Sequence, residues 1–192
     1  HPLFAPYRPG IRCLFRTQMN DLIIRMANQN DAKLLTELSY TTFWDAFASH
    51  PKNAPEDMRH YMQQAFSEEQ IALELADQNT FFLIAELEGK PAGYAKVVRN
   101  ATEEGIKAER PIELARLYSH QEYLGKGVGQ ELMNACVEFA QETRHDVIWL
   151  GVWEYNPRAI AFYEKNGFRA VGKHIFQLGS DRQTDLLMQR DV

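Results

Sequence analysis

Apolar and polar positions recur along this chain with two different periods, and the switches between them predict its elements. Residues 22–26, Leu-Ile-Ile-Arg-Met, read as a first strand. Leu34, Leu35, Leu38, Thr42 and Ala46 then recur at helical spacing. They predict a helix to about residue 49, with Asn30 or Asp31 placed to cap it. Pro51 and Pro55 interrupt the pattern, and a second helix spans about 56–66. Ser67-Glu68-Glu69-Gln70 resembles a capping box ahead of a third helix, which runs to about residue 76. Residues 81–87 and 92–98 flank Glu88-Gly89-Lys90-Pro91, which is a hairpin signal. The segment 100–110 is charged and aperiodic, hence a loop, and 112–119 reads as a central strand. An amphipathic helix over 129–143 carries Leu132, Ala135, Cys136, Phe139 and Ala140 on one face. Residues 147–153 form a near-continuous apolar run, as in a strand covered on both sides. Asn156 caps a short helix with Pro157 at its first position, and 168–177 with 184–189 close the chain as a strand pair. The fold class is α/β (α+β), in a single domain over 19–192 without internal repeats.

Composition narrows the function classes. With 192 residues and 45% apolar content, one domain can bury a substantial core. No apolar run approaches the roughly 20 residues of a membrane-spanning helix. Residues 1–18 carry Arg8, Arg12, Arg16 and three prolines but lack the apolar block of a secretory signal. They read as an appendage upstream of Met19. Cys13 and Cys136 have no metal-ligand spacing, and His50, His60 and His120 are scattered, so no metal is assigned. Reduced thiols and a cytoplasmic location are expected. A net charge of -5 argues against a nucleic-acid surface, which needs concentrated Lys and Arg, and is compatible with a cationic substrate.

Candidate chemistry lies in two places. Leu124-Gly125-Lys126-Gly127-Val128-Gly129 stands where a strand gives way to a helix. Glycines permit a tight turn and close ligand approach, and the helix start offers free N–H groups and positive dipole. A pyrophosphate is the natural guest; an ordinary glycine-rich turn is the alternative. A P-loop would need Ser or Thr after Gly-Lys, and here Gly127 follows Lys126. A dinucleotide fingerprint would need two residues between its last glycines, and only Val128 stands there. The second place is Asn156 to Phe168, a capped helix bearing Phe162-Tyr163-Glu164-Lys165 and ending at Asn166-Gly167-Phe168.

With these two motifs in this element order, residues from about 22 to 191 resemble the GNAT superfamily of N-acetyltransferases. That family's pyrophosphate motif is Gln/Arg-x-x-Gly-x-Gly/Ala, and Leu124 departs from its first, polar position. The resemblance narrows at Ile148-Trp149-Leu150-Gly151-Val152-Trp153-Glu154, at Thr41-Thr42-Phe43-Trp44-Asp45-Ala46-Phe47 and at Gln183-Thr184-Asp185-Leu186. These segments look like bacterial PaiA-type spermidine/spermine acetyltransferases. The resemblance implies a mixed sheet of about six to seven strands, flanked by helices and splayed after the fourth. It implies acetyl-CoA as co-substrate and transfer by direct amine attack in a ternary complex.

Residue by residue, the resemblance implies that Leu117, Tyr118 and Ser119 pair by their backbone with the pantetheine arm. The turn of Leu124, Gly125, Lys126, Gly127, Val128 and Gly129 would hold the pyrophosphate, with Asn156, Ala159, Phe162 and Lys165 completing the coenzyme site. Tyr163 takes the place of the general acid that protonates the leaving thiolate; a packing tyrosine is the alternative. Glu113 takes the place of a glutamate that drains the amine's proton, and period-2 counting puts it on the face of Leu117. An ion pair is the alternative for Glu113. Tyr40, Trp44 and Asp45 come from the helix that borders the acceptor pocket in this fold. A small primary amine, here a polyamine, is the implied acceptor, with a protein N-terminus or lysine as alternative and a non-catalytic acyl-CoA sensor as the reading of another class. The expected partners include no nucleic acid and no membrane; a homodimer is left open.

Overall fold

The computed structural model describes the backbone of residues 14–16 and all of residues 21–192. Among the described residues, eight strands form one sheet in the order β1-β2-β3-β4-β5-β6-β8-β7. They are β1 (Leu14–Arg16), β2 (Leu22–Met26), β3 (Thr80–Leu87), β4 (Lys90–Arg99), β5 (Pro111–Ser119), β6 (Val147–Trp153), β7 (Arg169–Leu178) and β8 (Asp181–Asp191). Every neighbouring pair is antiparallel except β5 and β6, which are parallel. The mixed, helix-flanked sheet agrees with expectation. Its eighth strand is β1, which pairs with β2 and comes from the segment set apart as an appendage. The rest of that segment and the boundary at 18/19 lie outside the described residues.

The helices are α1 (Ala32–Phe47), α2 (Pro55–Ala65), α3 (Glu68–Ala76), α4 (Val128–Glu142) and α5 (Pro157–Lys165). Pro55 does not merely interrupt the second helix; it opens it, where its missing N–H is no loss. Ser67 caps α3 as its sequence suggests, accepting from the Gln70 N–H at 3.2 Å. Asp31 holds the N-cap position of α1, one of the two expected, but its side chain makes no cap bond there; it belongs to a 3-10 turn over Gln29–Asp31 that Asn28 caps. The Asn28 side chain accepts from the Asn30 N–H, and Asp31 accepts from the Asn28 N–H at 2.8 Å. Asp31 also receives both terminal nitrogens of Arg25 at 2.9 Å, which holds its carboxyl below the usual range.

Period-2 alternation sorts the side chains of β3 between two cores. Leu83, Ala85 and Leu87 face α4, whose Leu132, Ala135, Cys136, Phe139 and Ala140 are buried as expected. Phe82 and Ile84 face Leu35 and Leu38 of α1 and Ile71 and Leu75 of α3. A third cluster joins Phe43 of α1, Met58 and Met62 of α2, Phe66, and Leu178 at the end of β7. The 100–110 loop covers the outer stretch of β6, where Trp149 Nε1 donates to the Ala101 carbonyl at 2.8 Å. Among the described residues, no helix is long and apolar enough to cross a membrane.

Candidate active site

β5 and β6 pair only at Pro111–Val147, Ile112–Ile148 and Glu113–Trp149. Beyond Glu113 they part, so the β5 edge that faces β6 keeps backbone donors and acceptors without a strand partner. A cavity of about 770 Å³ fills this wedge, with residues 114–119 on one wall and 151–153 on the other. Leu117, Tyr118 and Ser119 therefore stand where an extended ligand can add as a further strand.

A bulge changes the faces of β5. Lys96 of β4 stands opposite Arg116, but Val97 stands opposite Leu114, so Ala115 is the extra residue. Ile112, Leu114 and Leu117 consequently all pack toward α4. Glu113 shares the opposite face with Arg116 and Tyr118, so its expected place beside Leu117 is corrected. Glu113 is also absent from the cavity lining. Burial pushes its carboxyl up in pKa, opposed first by Lys96 and then by His174. Lys96 itself pairs with Glu74 of α3 at 3.0 Å, and Arg116 meets the same carboxylate at 3.4 Å. Glu113 thus stands near this charge cluster, and among the described residues neither Lys96 nor Arg116 forms an ion pair with it.

The glycine turn lies at the other end of the wedge. Gly125 and Gly127 have φ of 78° and 83°, in the left-handed region that glycine occupies without strain. Gly127 is the N-cap of α4 and supplies no side-chain cap, which leaves the first-turn N–H groups to another acceptor. A Cβ at either glycine would meet nothing within 4 Å. Packing thus does not require glycine here; the turn conformation and the open space above it do. That bare, electropositive helix start fits a pyrophosphate. Leu124, Gly125, Gly127, Val128 and Gly129 line the cavity, whereas Lys126 does not and lies over the Tyr123 ring at 5.4 Å.

Across from the turn, Asn156 caps α5 by accepting from the Ala159 N–H at 3.1 Å. Asn166 at the far end receives Gln130 Nε2 at 2.7 Å and donates to the Phe162 carbonyl at 2.9 Å. These bonds fix α5 against the start of α4 and so set Tyr163 relative to the glycine turn. Asn156, Ala159, Phe162, Tyr163 and Lys165 all line the cavity, and so does Arg158, which sequence reasoning missed. Tyr163 is half-buried against Phe162 and Phe168. Burial raises its phenol pKa above the usual range, so the hydroxyl keeps its proton at neutral pH.

The third part of the cavity is aromatic and acidic. Phe43, Phe47, Tyr61, Phe66, Tyr118 and Trp153 surround it, and Asp45 and Asp185 place carboxylates on its walls. Arg116 also lines it but is held by Glu74 and lies over the Phe66 ring at 4.8 Å. The turn between β7 and β8 closes this end against α2. The Ser180 N–H and hydroxyl each donate to Asp57 at 2.8 Å, and buried Gln183 donates to Asn53 at 2.8 Å. Of the three acceptor-side residues expected from α1, only Asp45 reaches the cavity. Tyr40 and Trp44 line a separate cleft with Arg59 and Met62, and Asp45 stands on the ridge between the two, lining both. Asp185 was missed as a site residue. Among the described residues, no group of three or more His, Cys, Asp or Glu could hold a metal ion.

The profile of the acetyltransferase (GNAT) family matches residues 40–168. The chain is 32% identical, over 90% of its length and 98% of the relative's, to an uncharacterised N-acetyltransferase of Lactobacillus delbrueckii subsp. lactis. An uncharacterised N-acetyltransferase of Mycobacterium bovis is 32% identical over 84% of this chain and 98% of its own. Among solved structures, the PaiA N-acetyltransferase of Thermoplasma acidophilum in complex with coenzyme A aligns with a TM-score of 0.71. The alignment covers 90% of this chain and 99% of that one at 21% identity, which is a likeness of fold.

Proposed function

We propose, from the premise that this chain belongs to the acetyltransferase (GNAT) family, that it acetylates a small polycationic primary amine of the spermidine or spermine class. Acetyl-CoA-dependent N-acetyl transfer is the activity of that family, and the splayed β5 edge and bare glycine turn suit its co-substrate. The acceptor class rests on one observation: Asp45 and Asp185 stand on an aromatic wall whose lining cation, Arg116, is already paired with Glu74. Aromatic faces and carboxylates together attract alkylammonium groups. Closure of this end by the β7–β8 turn on α2 favours a slender acceptor over a protein terminus. The PaiA-like segments at 41–47, 148–154 and 183–186 point the same way.

A panel of amines with acetyl-CoA, followed by free-thiol release, tests the reading. Spermidine and spermine should exceed neutral peptide amines in kcat/KM, and that advantage should shrink steeply with ionic strength, because steering of a multiply charged ligand is screened. Equal turnover of a neutral peptide amine, insensitive to salt, would sink the assignment.

A further inference from the structure

β6 is apolar along its length except at Gly151, which stands between the buried Trp149 and Trp153 on one face. A Cβ at Gly151 would lie 3.1 Å from His174 Nε2 and 3.3 Å from Asp185 Oδ2. The missing side chain therefore makes room for two titratable groups, which stand opposite each other on β7 and β8. His174 Nε2 is 3.4 Å from Asp185 Oδ2, and its Nδ1 is 3.5 Å from Glu103 Oε2 on the 100–110 loop. Asp185 and Gly151 line the cavity, while the Glu103 side chain is 40% exposed. Three groups thus run from the cavity wall to solvent.

We infer that Asp185 takes a proton from the incoming ammonium and that His174 passes it to Glu103 and out to solvent. This rests on the amine-acetylation reading and names the residues that drain its proton. The ammonium loses one proton to the Asp185 carboxylate, and the free amine then attacks the thioester carbonyl carbon. The nitrogen–carbon bond forms, the carbon–sulfur bond breaks, and the amine's second proton is balanced by the one that ends on the coenzyme sulfur. One proton leaves per turnover, and an imidazole that can give at one nitrogen while taking at the other suits that route. Burial pushes the Asp185 carboxyl up, which brings it nearer to the working pH, and His174 opposes the shift. Glu154 adds like charge to Asp185, Tyr61 faces it from α2, and Glu113 faces His174 from β5.

The test compares Asp185→Asn and His174→Ala with wild type, using two acceptors over pH 6–10. One is the preferred alkylamine of the panel, and the other is a weakly basic amine that is already neutral at pH 7. Asp185→Asn should lower kcat/KM for the alkylamine about 10²-fold near pH 7, the low end for general base catalysis. The loss should shrink as pH rises and be small throughout with the weakly basic amine. Imidazole should restore part of the His174→Ala activity. A loss equal for both amines and at every pH would overturn the relay. So would finding that Glu113→Gln, not Asp185→Asn, carries the pH-dependent loss. Failure of the polyamine assignment would read differently: wild-type enzyme would prefer another amine while the Asp185→Asn pattern persisted with it.

Discussion

Tyr163→Phe is expected to lower kcat by about 10²-fold and to leave acetyl-CoA affinity little changed. Phenylalanine keeps the ring that packs against Phe162 and Phe168, so the substitution isolates the hydroxyl. General acid catalysis spans about 10²–10⁴-fold, and two facts place this case at the lower end. A thiol has an ordinary pKa near 8.5, so a thiolate leaves tolerably without help. Burial also raises the Tyr163 phenol in pKa, so the proton moves only as the carbon–sulfur bond breaks and charge reaches the sulfur. Affinity is spared because the proton is needed in the transition state and not in the bound ground state. The raised pKa has a second consequence: the phenol stays protonated well above the neutral range, so no basic limb of the kcat profile near neutral pH should come from it. Tyr118 is another half-buried phenol on the cavity wall, and Tyr118→Phe is the comparison. More than about half of wild-type turnover in Tyr163→Phe, with chemistry shown to limit the rate, would remove the role, since even the low end of general acid catalysis is about 10²-fold.

What was legible beforehand is what the local chain encodes. The glycine turn and the Asn156-capped helix each place their chemistry within one short segment, and both line the cavity as read. Element order was legible for the same reason, since period and caps are local signals. The misreadings at the site turn on partners distant in sequence. Period-2 counting put Glu113 beside Leu117, but the bulge at Ala115 inserts one residue and reverses the faces beyond it. No glycine or proline marks that bulge. On α1, spacing shows that an aromatic stripe exists but not which edge faces the wedge. Contact with Tyr61, Phe66 and Tyr118 draws Phe43 inward and leaves Trp44 beneath Arg59 in the separate cleft. Asp185 was hidden because its neighbours come from β6, β7 and the 100–110 loop. One visible clue existed, for a glycine inside an apolar strand often marks close approach of another group, and Gly151 is such a glycine.

The glycine turn carries the other large effect. Gly127→Val combines two penalties, because a β-branched residue is strained at φ +83° and its side chain enters the open space above the turn. A lost affinity alone would therefore not say whether folding or binding had suffered. Asn separates them, since it visits the left-handed region routinely yet still fills the space. Gly127→Asn should keep the thermal midpoint near wild type and weaken acetyl-CoA binding at least about tenfold, or 1.4 kcal/mol, by calorimetry. Gly127→Val should lose both. The first-turn N–H groups of α4 explain this difference only if the ligand's pyrophosphate sits on them. Acetyl-pantetheine, which has the thioester arm without pyrophosphate or nucleotide, should then be acetyl donor to wild type and Gly127→Asn with similar, low kcat/KM. Were acetyl-CoA to bind Gly127→Asn as tightly as wild type, the open turn would not be the phosphate site. Were acetyl-pantetheine to lose as much as acetyl-CoA, the substitution would be acting on the β5 wall instead of the helix start.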